Sequence, residues 1–149
     1  MSLVDAVRAA GSYSEALALT IAHFRADSGT IHILEPDGLL HLKAASKGLP
    51  DAVLAIVRTV PVGKGMAGLA VERATPVGAC NIQTDGSGDV RPGARATGME
   101  GAVVVPIFDG EKAAGALGIA NRAERTFSSE ETALLIEVGR AIANITDLQ

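Results

Sequence analysis

Tryptophan is absent from this chain, and cysteine occurs once, at Cys80. A single thiol excludes an intramolecular disulfide and any cysteine-only metal site, and it suits a reducing, cytoplasmic location. Aromatic rings are scarce as well, limited to Tyr13, Phe24, Phe108 and Phe127, and the net charge is −4 with Lys and Arg scattered. A nucleic-acid partner is therefore not expected, since neither a basic stripe for phosphates nor rings for base stacking are present. No apolar run approaches the roughly 18 residues of a membrane span, and the first residues lack a signal-peptide pattern. All three histidines fall within the first 41 residues, and no serine sits on a strained strand-to-helix elbow, so a Ser-His-acid site finds no support. Neither a metal site nor a cofactor is implied.

What remains is apolar: 48% of the 149 residues are hydrophobic, enough for a globular core. One domain over 1–149 is expected, although the chain could equally be a segment of a larger signalling protein. Ser12 and Glu15 have capping-box spacing and open a helix over 12–26, with residues 3–10 forming a shorter one before Gly11. Two strands flank Glu35-Pro36-Asp37-Gly38, and a register with Leu34 opposite Leu39 sorts their side chains. It puts Ile31, Ile33, Leu40 and Leu42 on one face and His32, Leu34, Leu39, His41 and Lys43 on the other. Pro50 starts a helix over about 50–60, Gly63-Lys64-Gly65 turns into another near 65–73, and Thr75 to Ile82 reads as a strand. Residues 83–100 hold four glycines and a proline with little apolar periodicity, the mark of a functional or mobile loop. Strands over 101–108 and 112–120 join at Asp109-Gly110. Ser128 and Glu131 then cap a last helix that runs towards Gln149.

Several motifs compete for a role. Gly63-Lys64-Gly65-Met66-Ala67-Gly68 has GxGxxG spacing, but Arg58 and Pro61 break the strand that a dinucleotide fold needs before it, so it reads as a structural turn. Asp85, Ser87 and Asp89 alternate like a calcium loop. Val90 and Ala96 stand where that loop needs glycine and glutamate, which rejects it. The assumed hairpin register sets His32 opposite His41, a half-exposed pair with no third ligand nearby. Arg91 and Arg95 lie four residues apart, close enough to converge on a carboxylate or phosphate; alternatively they pair with Asp85, Asp89 or Glu100.

The segments VGKGMAGLAVERATPVGACNI (62–82), AVVVPIFDGEKAAGALGIAN (102–121) and FSSEETALL (127–135) together resemble the GAF family of sensory domains. The resemblance implies an α+β fold: an antiparallel sheet of five to six strands flanked by helices, with the N- and C-terminal helices on one face. It also implies a pocket beneath the 83–100 flap. Members bind cyclic nucleotides, linear tetrapyrroles, haem, amino-acid metabolites or metal ions, or only mediate dimer contacts. Asn121-Arg122, Phe127 and Glu131-Thr132 keep part of the Asn-Lys, Phe, Asp-Glu pattern of cyclic-nucleotide members. Here that pattern reads as a lock holding the last helix on the sheet. Members that reduce free methionine sulfoxide depend on several cysteines, and bilin attachment needs a cysteine on the flap; Cys80 alone meets neither need.

The reading that follows is a ligand-sensing regulatory domain and not an enzyme. Met66, Asp85, Arg91, Arg95 and Met99 are its candidate ligand-binding residues, and its ligand is a small molecule, anionic if the two arginines hold it. A reductase-like enzyme of the same family and a purely structural dimerisation domain are the alternatives. The expected partners are an output domain or signalling protein and a second copy of the chain. The dimer is expected through the first and last helices, where Leu134, Leu135, Val138, Ile142 and Ile145 span a wide apolar face.

Overall fold

Serine side chains open three helices, and the rest of the architecture follows from where these helices can pack. The computed structural model describes residues 2–90, 95 and 97–145. Ser2, Ser12 and Ser128 each accept a first-turn amide, starting α1 (Leu3–Arg8), α2 (Tyr13–Phe24) and α5 (Ser129–Ala143). The Ser128–Glu131 box is reciprocal, whereas Glu15 reaches back to the Gly11 amide instead of Ser12.

Six strands form one antiparallel sheet in the order β3-β2-β1-β6-β5-β4. They are β1 (Ser28–Leu34), β2 (Leu39–Ala45), β3 (Thr59–Pro61), β4 (Val77–Ala79), β5 (Gly101–Asp109) and β6 (Lys112–Asn121). Helices α1, α2 and α5 pack with Ile31, Val103, Val105, Ile107, Leu117 and Ile119 on one face. The helices α3 (Asp51–Val57) and α4 (Gly65–Arg73) lie over the other. This is the expected α+β arrangement, with the N- and C-terminal helices on one side. Strand β3 was hidden inside the helix expected over 50–60, and β4 is shorter than the expected 75–82.

The β1–β2 register differs from expectation by one residue. Leu34 pairs with Leu40 and His32 with Leu42, because Glu35 donates to Leu39 O and Gly38 takes φ +81°, which leaves a three-residue loop. A one-residue slip exchanges faces. Ile31 and Ile33 therefore face the helices α1, α2 and α5, while His32, Leu40 and Leu42 turn to the opposite side. The expected His32–His41 pair does not form: His41 pairs across the hairpin with Ile33 and contacts Asp37 at 2.7 Å. A bulge at Ile31/His32 realigns the remainder, so that Ile31 meets Ala44.

A side chain at Gly115 or Gly118 would meet neighbouring strands: His32 O and Ile33 at Gly115, Val104 and Thr30 at Gly118. The close helix–sheet approach comes from Gly139 of α5, where a Cβ would lie 3.3 Å from Pro106 O. Pro106 itself lies beyond the β5 residues that pair with β4, so its missing amide costs no bond on that side.

The α5 lock centres on Arg125, a residue the motif comparison passes over. Its guanidinium donates to Phe24 O (2.7 Å), Asn121 Oδ1 (2.9 Å) and Glu131 Oε2 (2.6 Å), and stacks 4.3 Å above the Phe127 ring. One planar fork thus ties the end of α2, the end of β6 and the start of α5. Arg125→Met should cost about 2–3 kcal/mol, or ~5–10 °C in Tm, since it strands charged and carbonyl partners. Lysine should not restore it, because an ammonium cannot serve three directions in one plane. Thermal melts of both variants check this.

Candidate functional site

The sheet face under α3 and α4 is built from alternate residues that happen to be small. Strand β1 presents Ser28, Thr30 and His32, opposite Ala120, Gly118 and Ala116 of β6, and β5 adds Ala102 and Val104. This floor leaves a cavity of about 180 Å³ beneath Val53, Ile56 and Val57 of α3 and beside Met66 and Ala67 of α4, with Ile82, Thr97 and Met99 at one end. The walls are overwhelmingly apolar. Lys64, exposed at the rim, is the only formally charged side chain among the described residues that line the cavity. Ile56 is 49% exposed although it lines the cavity, so the α3 wall is thin.

Among the described residues, His32 is the one ionisable side chain buried there, 3% exposed. Its Nε2 lies 2.7 Å from Val57 O in the last turn of α3. A carbonyl can only accept, so Nε2 carries the proton, and the ring latches α3 onto β1. Nδ1 is buried with no hydrogen-bond partner. Burial lowers the His32 pKa, offset only in part by the bond to Val57.

The sign of the resulting pH dependence is fixed. The unfolded chain takes up the proton first, near the ordinary value of 6.5. Stability is thus full above that pH and falls as pH drops through it, by at most about 1.4 kcal/mol per pH unit for one group. His32→Phe should flatten this loss between about pH 7 and 5.5. Urea unfolding at several pH values measures the difference between variant and wild type.

The sequence-derived site residues divide. Met66 and Met99, 8% and 6% exposed, both line the cavity. Asp85 and Arg95 lie outside its lining and serve the loop: Asp85 Oδ2 accepts from Ser87, and the Arg95 guanidinium donates to Ile82 O and Asp85 O. Gln83 completes this clasp by donating to Arg95 O and Met99 O. Asp89 is held by both terminal nitrogens of Arg73. Arg91 lies outside the described residues. Cys80 is exposed and borders a separate hollow beside Arg125 and Phe127. His32 escaped notice as a cavity residue because the assumed register placed it on a half-exposed face. Its signal was a lone imidazole between isoleucines in an apolar strand.

Among the described residues, no helix is long and apolar enough to cross a membrane. The chain is similar in fold to the GAF domain of an Acinetobacter phosphoenolpyruvate-protein phosphotransferase. That similarity has a TM-score of 0.76 and 17% identity, and covers 95% of this chain and 86% of that one. The corresponding GAF domain from Coxiella burnetii gives 0.75 and 23%, with the same coverage of both chains. The free methionine-R-sulfoxide reductase of Neisseria meningitidis, solved with its substrate, is similar at a TM-score of 0.75 and 16% identity, covering 94% of this chain and 81% of that one. This last likeness corrects the expectation that the chain is not an enzyme. The same fold carries a reductase, so a sensory-type fold gives no ground for excluding catalysis. No curated protein matches the sequence. Residues 13–147 match the family described as GAF domain, and the chain belongs to that family.

Proposed function

We propose that the protein is a ligand-sensing regulatory domain whose small-molecule site is the cavity between the sheet and α3/α4. The observation that carries this reading is the cavity itself: an apolar space of about 180 Å³, floored by Gly118, Ala102 and Ala120 where larger residues would fill it. GAF domains commonly bind small molecules and sit beside output domains in signalling proteins, and the cavity gives this chain a place to do so. In this reading Met66 and Met99 shape themselves to the ligand, as flexible thioethers do. The route outward is β5, which carries Ala102 and Val104 on the cavity face and Val103 and Val105 against the α5 core. A ligand that shifts the cavity floor would bias how α5 packs, and an output domain or partner protein would read that helix.

Native mass spectrometry of protein purified from its own host tests the proposal. A compact non-covalent adduct is expected, and it should be lost in Ala102→Leu, which fills the floor. An adduct that survives Ala102→Leu would place the ligand elsewhere.

A further inference from the structure

Resting on that reading of the cavity, we propose that its ligand is a compact, neutral molecule of about single-ring size with one hydrogen-bond donor, and that His32 Nδ1 receives that donor. Size is the first argument. An apolar cavity of ~150 Å³ holds a benzene-sized molecule, and the space here is about 180 Å³. A nucleotide or a tetrapyrrole would have to leave much of its surface outside this space. Charge is the second. An ionised group would lose its hydration among Val53, Met66, Met99 and Val104, and among the described lining residues the one formal charge, Lys64, stays exposed at the rim.

The third argument is the unmatched polar atom. The Val57 carbonyl fixes the proton on Nε2, which leaves the Nδ1 lone pair as an acceptor. Among the described residues, Nδ1 is the only buried side-chain nitrogen or oxygen without a partner. It belongs to a cavity-lining ring that is 3% exposed. Burial keeps this imidazole neutral and therefore accepting. A ligand O–H or N–H would satisfy the lone pair, and an isosteric molecule without a donor would leave it unmatched. The same ring latches α3, so a donor at Nδ1 would act on the group that already holds the cavity wall in place.

Phenol and fluorobenzene separate these demands, being nearly equal in size with only phenol able to donate. Each is titrated into full-length protein carrying 13C-methyl methionine and 15N-histidine. Both should move the Met66 and Met99 methyl resonances, which places the probe in the cavity. Phenol should bind about three- to tenfold tighter, and it alone should move His32 Nδ1 away from the position of a bare lone pair. An apolar cavity without an acceptor would favour fluorobenzene, because phenol must shed hydration from its hydroxyl. His32→Phe should therefore abolish or invert the preference while fluorobenzene still binds. If that variant does not fold, the wild-type pair of titrations decides alone. Equal or tighter binding of fluorobenzene to wild type, an unmoved Nδ1, or a phenol preference that survives His32→Phe would overturn the donor assignment and leave the cavity as a ligand site. If neither probe moves the methionine methyls, the ligand-site reading falls, and this inference falls with it.

Discussion

Ile142→Glu should unfold the protein. Ile142 is fully buried in the cluster that joins α5 to Val105 and Ile107 of β5 and to Leu17 of α2. Replacing it forfeits the packing of a large aliphatic side chain, about 2–5 kcal/mol for truncation alone. The new carboxyl must also be desolvated within this apolar cluster, or protonated at further cost. Against a total stability of roughly 5–15 kcal/mol, a combined loss of about 5 or more leaves little folded protein at 37 °C. Circular dichroism should show a Tm lowered by at least ~10–20 °C or no cooperative melt. The sequence alone suggested another outcome, a folded monomer released from a dimer seam. That expectation treated Leu135, Val138 and Ile142 as apolar surplus, yet all three are buried within the protomer. A dimer through the terminal helices would have to use other residues. A melt like that of wild type, with a fall in sedimenting mass, would contradict the packing described here.

Gly68→Ala should be destabilising even though alanine is the better helix former. In the exposed middle of a helix the exchange gains about 1 kcal/mol. At position 68 the added methyl would overlap the Pro61 carbonyl oxygen and sit 3.1 Å from the Gly63 amide nitrogen. Both obstacles are backbone, and the Gly63 amide is bonded to Gly68 O, so the turn cannot swing aside without breaking its own closure. Overpacking of this kind costs about 1–3 kcal/mol, and the helix gain offsets only part of it. The variant should also loosen the cavity, because Met66 and Ala67 lie in the same turn of α4. Urea unfolding should give a net loss of about 1–2 kcal/mol, with weakened phenol binding. A stabilised variant would show that α4 does not press on the β3 turn.

Local signals were readable in the sequence, and those set by tertiary packing were not. Capping at Ser12 and Ser128, the Asp109-Gly110 hairpin and the Gly63–Gly65 turn each depend on neighbours within a few residues, and each appears where expected. Strand β3 is three residues long and exists only because β2 supplies its partner; no periodicity could announce it. The β1–β2 register turned on a three-residue loop with Gly38 left-handed, which decides which β2 residues join each face of β1. That choice set Leu40 and Leu42 on the face of His32, where His41 and Lys43 had been expected. Met66 and Met99 were legible as apolar positions at the two ends of the glycine-rich half. Arg95 looked like an anion binder because its pull on the Ile82 and Asp85 carbonyls is invisible without the loop's path.

A crystal structure of the protein purified from its own host tests the central claim most directly. The account predicts density for one compact molecule between Met66, Met99 and the Gly118 floor, with a polar atom within hydrogen-bond distance of His32 Nδ1. A cavity closed by inward movement of Val53 and Ile56 of α3, with side chains filling the space above Gly118, would contradict it.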